Sequence, residues 1–205
     1  MRPELASFLA RYGTVVALMA LLAFNFAFTP NFASLQTLNV NLTQVCTIVI
    51  VGVGMTLVIA TGGIDLSVGS LMAIAGALAP LIFLGKLFPL PHPYVGVALA
   101  FTVPVLVAGL FGLFNGWLIT RFSIQPIIAT LVLFIAGRGI AQVVTNGNLQ
   151  PFRNPDFQMI GLGRVFGVPV QVMLMLAIVA LAWWMMRRTL LGRQILAVGG
   201  NEKAA

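Results

Sequence analysis

Acidic side chains are nearly missing from this sequence: 205 residues hold 4 Asp and Glu against 11 Lys and Arg. Charged residues of both signs make up 7% of the chain, where a soluble domain carries about 25%. A water-soluble globule this poor in charge has too little polar surface to cover itself, which excludes a soluble enzyme. Cysteine and histidine occur once each, as Cys46 and His92. That excludes a disulfide framework and a structural Cys/His metal centre, each of which needs several ligands from the chain. No Gly-x-x-x-x-Gly-Lys-[Ser/Thr] phosphate loop is present; the nearest candidate, Gly85-Lys86, lacks both the earlier glycine and the following hydroxyl. The chain is therefore expected to carry no metal and no cofactor of its own. The net charge of +7 invites nucleic acid, but the basic residues punctuate apolar runs and form no aromatic-interleaved stripe. No nucleic-acid partner is expected.

What the sequence has is apolar length. Hydrophobic residues make up 60% of it and the mean hydropathy is +1.06. Apolar runs fall at Tyr12 to Phe28, Val45 to Ala60, Leu66 to Leu84, Tyr94 to Thr120, Ile127 to Val144 and Val168 to Met186. Each approaches the ~20 residues that cross ~30 Å of hydrocarbon, and helix is the open-ended element that satisfies its own backbone there. The expectation is an all-α, polytopic transmembrane bundle of about six spans in a single domain, 1–205, with membrane lipid around it. The second run is short, and Asn39, Asn41, Thr43 and Gln44 before it suggest a polar helical extension buried against other helices. Charge followed by an apolar run at the N-terminus looks like a secretory signal, but no small-x-small cleavage site follows, so it reads as a retained first span. Lys and Arg collect in cytoplasmic loops. With the N-terminus inside, Arg2, Arg11, Arg121, Arg187, Arg188, Arg193 and Lys203 lie inside, against Lys86, Arg153 and Arg164 outside. Both chain ends are then cytoplasmic.

Two rows of small residues spaced by four, Gly69, Ala73, Ala77 and Ala108, Gly112, Gly116, read as helix-packing contacts. More information lies in the interruption Gly62, Gly63, Ile64, Asp65, Leu66, Ser67. Gly62 or Gly63 can take the left-handed conformation that ends a helix, and Asp65 can accept from the exposed amides that begin the next. An anion at a helix N-terminus is also favoured by the backbone dipole. Capping accounts for Asp65 without any substrate contact. Within the spans, Asn115, Thr130 and Gln142 are neutral hydrogen-bonding groups of the kind a polyhydroxylated substrate needs, and interhelical bonding explains them as well. Arg138 either snorkels across the ~9 Å to the outer end of its span or faces a polar pathway. His92, between Pro91 and Pro93, reads as a turn. Cys46 reads as packing.

The run Gly54 to Ser70, with Gly62-Gly63-Ile64-Asp65-Leu66-Ser67 at its heart, resembles the signature of the ribose-type sugar ABC transporter permeases. Gly112 to Leu118, Gln125 to Gly139 and Leu191 to Ala205 agree with it, so the resemblance runs along the chain. It implies the membrane-spanning subunit of an importer for a small sugar, ribose or a related pentose or hexose including furanose forms such as galactofuranose, in the bacterial plasma (inner) membrane. It further implies alternating access, a separate cytoplasmic ATPase that binds ATP and Mg, a periplasmic or extracellular sugar-binding protein, and a second permease subunit in a homodimer or heterodimer. Residues 187–205 are then a cytoplasmic coupling segment that docks on the ATPase through Gly199, Gly200, Asn201, Glu202 and Lys203, with Asn201 capping a helix that starts there. Family members continue for several more spans, so the chain reads as the front portion of a permease. An ion-coupled secondary transporter with an ion site at the Gly62–Asp65 break, and a truncated scaffold that transports nothing, are the rival expectations.

Overall fold

The computed structural model describes residues 3–87, 89–90 and 92–201; the side chains of residues 3–10, 93 and 156 lie outside the description. It is helical throughout apart from one small hairpin. The helices are α1 (Pro3–Phe28), α2 (Leu35–Ala60), α3 (Val68–Phe83), α4 (Pro93–Phe122), α5 (Pro126–Val144), α6 (Pro155–Leu162), α7 (Val170–Arg188) and α8 (Leu190–Gly200), with β1 (Arg164–Val165) and β2 (Val168–Pro169) between α6 and α7. Five of them, α1, α2, α4, α5 and α7, contain stretches long and apolar enough to cross a membrane. The third expected span is the shorter α3, 16 residues or about 24 Å of helix. The chain is a multi-pass helical membrane protein. Residues 1–45 and 46–205 form two separate units, so each is described by itself.

In the first unit α1 is followed by a turn in which Ser34 caps α2, accepting from the Thr37 amide at 3.1 Å. The polar residues from Asn39 to Gln44 extend α2 by helical turns before Val45, but their expected burial is not what is found. Asn41 and Gln44 are exposed, and Asn39 and Thr43 are half-buried.

The second unit is organised around α3. Ser70, Ile74, Ala77, Pro80, Leu81 and Ile82 are buried on it, and it packs against both α4 and α5. Association of helices in lipid depends on close approach through small residues, and the decisive one here lies outside both expected rows. A Cβ on Gly137 of α5 would stand 2.9 Å from the Cβ and Oγ of Ser70. Of the expected row on α3, Gly69 lies at ordinary contact distance from Phe134, Ala77 is buried and Ala73 is exposed. Gly112 and Gly116 on α4 have open space around them, so that row makes no close helix contact in this chain.

At the end of α3 that carries Phe83, a cluster of rings pins the long connection onto the helices. Phe157 of α6 stacks on Phe101 of α4 at 4.5 Å and meets Phe152 edge-on at 4.8 Å, and Phe152 lies 5.2 Å from Phe83. Such pairs contribute about 0.5–1.5 kcal/mol each beyond area burial. His92 does more than mark a turn: it caps α4, its Nδ1 accepting from the Tyr94 amide at 3.4 Å.

Candidate functional site

The break between α2 and α3 closes α2 in a Schellman motif. The Gly63 amide donates to the Val58 carbonyl at 3.1 Å and the Gly62 amide to the Ile59 carbonyl at 2.9 Å. Gly62 has φ +80, a conformation that glycine takes without strain. The chain then runs without regular structure to Ser67. Asp65 does not bond to the first amides of α3; one carboxylate oxygen accepts from the amide and the hydroxyl of Ser67, at 2.7 and 2.6 Å. That is an Asx turn, which fixes Ser67 as the entry to α3. Ser67 is buried, and its carbonyl accepts from the Ser70 hydroxyl at 2.7 Å, a hydroxyl also 3.1 Å from the Leu133 carbonyl of α5. The break thus lies between the ends of two helices and is tied to α5 by Ser70.

Thr130 belongs to this same end. Its hydroxyl donates to the Pro126 carbonyl at 2.8 Å and lies 3.4 Å from the Ile64 carbonyl, and the side chain is buried. Asn115 is buried on α4 at 6% exposure, with its Nδ2 unpartnered among the described residues.

Arg138 and Gln142 sit elsewhere. One turn apart on α5, they line a cavity of about 390 Å³ whose far wall is Ala73, Gly76, Ala77 and Pro80 of α3. Small side chains on α3 leave the room, and the rim is completed by Thr145 and residues 147–150. Gln150 is held there by Lys86, whose Nζ donates to Oε1 at 2.6 Å. The volume falls within the ~300–1,000 Å³ typical of small-molecule sites. Its lining offers amide, hydroxyl and guanidinium donors, and Arg138 is the charged group among the lining residues. Of the four expected pathway residues, Arg138 and Gln142 share the cavity, Thr130 lies at the break, and Asn115 is buried on α4. Sequence reasoning missed the loop contributors Asn148 and Gln150. Among the described residues no group of three His, Cys, Asp or Glu could hold a metal ion.

Residues 187–205, expected to be a coupling segment, contain a full helix, α8, that the sequence reading did not foresee. Thr189 caps α8, its hydroxyl accepting from the Gly192 amide at 3.4 Å and donating to the Met185 carbonyl at 2.7 Å. Asn201 closes α8, its amide donating to the Ala197 carbonyl at 3.0 Å; Glu202 and Lys203 lie outside the described residues. Gly199 does not face open space. A Cβ there would overlap the carbonyl oxygen of Ala60 and stand 2.9 Å from its carbonyl carbon, so α8 lies directly on the end of α2. At Gly200 nothing comes near.

A helical membrane protein with a polar cavity between two packed helices has the makings of a transport subunit. Residues 38–205 match the family described as the permease component of branched-chain amino acid transport systems, and the chain belongs to that family. It is 39% identical to the ribose import permease protein RbsC of Escherichia coli K12 over 195 residues, 93% of this chain and 58% of that protein. It is also 39% identical to the galactofuranose transporter permease protein YtfT of the same organism over 170 residues, 80% of this chain and 46% of that one. To the ribose import permease of Bacillus subtilis it is 35% identical, over 95% of this chain and 59% of the relative. The chain thus spans about half to three-fifths of the length of these relatives. No solved structure matches it.

Proposed function

We propose that this chain forms part of the membrane pathway of an ATP-driven importer for a small sugar, ribose or a related pentose or hexose, including furanose forms. The observation that carries the proposal is the Arg138–Gln142 cavity, lined by hydrogen-bonding groups that suit a polyol, in a chain whose relatives are sugar permeases. Neutral amides and hydroxyls hold such a ligand and release it, as a pathway requires. Arg138, Gln142, Asn115 and Thr130 are its pathway residues, and Gly62, Gly63, Asp65 and Ser67 shape the helix break.

Residues 187–205 are the cytoplasmic coupling segment of a single permease domain in a bacterial inner membrane. Supporting this, α8 carries Leu190, Leu191 and Leu196 at 61, 60 and 56% exposure, an apolar surface outside the spans that suits a docked ATPase. That ATPase binds ATP and Mg; this chain is a transport subunit, not an enzyme. A sugar-binding protein serves the opposite side, and a second permease subunit completes the pathway. The ion-coupled alternative gains nothing from Asp65, which bonds to Ser67 at the mouth of α3 and not at the middle of an interrupted span.

Uptake of labelled ribose and galactofuranose into proteoliposomes that hold the assembled permease, its ATPase and the binding protein tests the proposal. Sugar accumulation that needs both ATP and the binding protein is expected. Accumulation that follows an ion gradient without either overturns it.

A further inference from the structure

α8 is held at both ends, and each hold is a glycine against backbone. At its start, Gly192 is buried and a Cβ there would overlap the Met186 carbonyl at the end of α7. At its finish, Gly199 rests on the Ala60 carbonyl. Between the two holds lies about 10 Å of helix; Leu190 and Leu191 ahead of them and Leu196 between them are exposed. Neither hold involves a side chain that can swing aside, since both opposing groups are main chain. In close-packed contact of this kind displacement of one partner is passed to the other.

We propose that α8 acts as a beam clamped between α7 and α2, and that Gly199 is the positioning residue through which movement of α8 enters the α2–α3 break. This rests on the proposed coupling of the chain to an ATPase. It reverses the role expected of Gly199: the residue does not meet the ATPase, but turns inward to Ala60. Beyond Ala60 the route is defined. The Schellman turn at Gly62 and Gly63 leads to Asp65 and Ser67, the Ser67 carbonyl holds Ser70, and Ser70 bears on Leu133 and Gly137 of α5. One residue past Gly137 is Arg138, in the cavity. A push on α8 therefore reaches the cavity through backbone contacts, the Asp65–Ser67 turn and the Ser70 hydroxyl.

Gly109 of α4 supplies the control, because a Cβ there enters open space. The test uses the assembled transporter in proteoliposomes, with sugar carried per ATP hydrolysed, ATP hydrolysis and retention of the ATPase measured for Gly199→Ala and Gly109→Ala. Alanine is the better helix former at both positions, so loss of α8 itself is not the expected consequence. Gly199→Ala is expected to retain the ATPase and hydrolyse ATP while sugar carried per ATP falls about tenfold, the scale of a lost coupling contact; Gly109→Ala keeps the unaltered ratio. An unchanged ratio in Gly199→Ala, an equal loss in Gly109→Ala, or release of the ATPase by Gly199→Ala each overturns the inference while leaving the import function standing. Absence of ATP-dependent uptake in the unaltered transporter overturns both.

Discussion

Ser70 of α3 and Gly137 of α5 meet with no room for a methyl group, the Ser70 Cβ and Oγ lying 2.9 Å from where a Gly137 Cβ would stand. Their contact is also the place where Ser70 reaches the Leu133 carbonyl. Gly137→Ala is expected to force the two helices apart at a cost of about 1–3 kcal/mol, the usual range for overpacking. Thermal unfolding in detergent measures it, and Ser70→Gly in the same chain should recover most of the loss. If Gly137→Ala unfolds at the original temperature, α3 and α5 do not pack as described.

How much of this was legible in the sequence follows from the signal each element leaves. Apolar runs near membrane length announce a span without reference to anything else in the chain, so α4, α5 and α7 coincide with their runs to within about two residues, and α1 ends with its run but begins earlier, at Pro3. α2 starts earlier than its apolar run because Asn39, Asn41, Thr43 and Gln44 continue the helix without continuing the hydropathy. α8 was hidden by Gly192, Gly199 and Gly200, which lower helix propensity yet are required by its contacts. Arg138 and Gln142, four apart on one helix, were readable as neighbours. Their cavity was not, because it depends on residues 147–150 folding back over α3. The contact of Gly199 with Ala60 joins positions too far apart in the chain for any local pattern to register.

The two glycines of the break are not equivalent. Gly62 has φ +80, whereas a Cβ on Gly63 meets nothing closer than Val58 Cγ1 at 3.4 Å. Gly62→Ala is expected to cost about 1–2 kcal/mol, the penalty of the left-handed region for an L side chain, while Gly63→Ala stays close to the unaltered stability. Melting temperatures of the two variants decide this, and equal losses would mean that the Schellman turn does not close α2.

Gln142 faces the cavity, and its exposed side chain makes no hydrogen bond among the described residues, so its replacement separates pathway from packing. Gln142→Leu is expected to leave the melting temperature and ATPase assembly in place while raising the sugar concentration needed for half-maximal uptake about tenfold, the worth of one lost hydrogen bond of ~1.4 kcal/mol to a ligand. Concentration-dependent uptake in proteoliposomes provides the measurement. Uptake indifferent to this change would remove the cavity from the pathway.

Asn115 presents the opposite balance. Its Nδ2 is buried without a partner among the described residues, and an unmade hydrogen bond of this kind costs about 1–3 kcal/mol. If the amide served only to bind helices, replacing it would break a bond and lower stability, yet no such bond is present to break. Asn115→Leu, close in volume and free of the unmet donor, is therefore expected to match or exceed the stability of the unaltered chain. Sugar uptake should fall, because an unmet donor is then lost to the pathway. Stability and uptake measured on the same preparation separate the two roles: a destabilised variant with proportionate loss of uptake would return Asn115 to helix packing, whereas stable protein with impaired uptake assigns the side chain to the substrate's route.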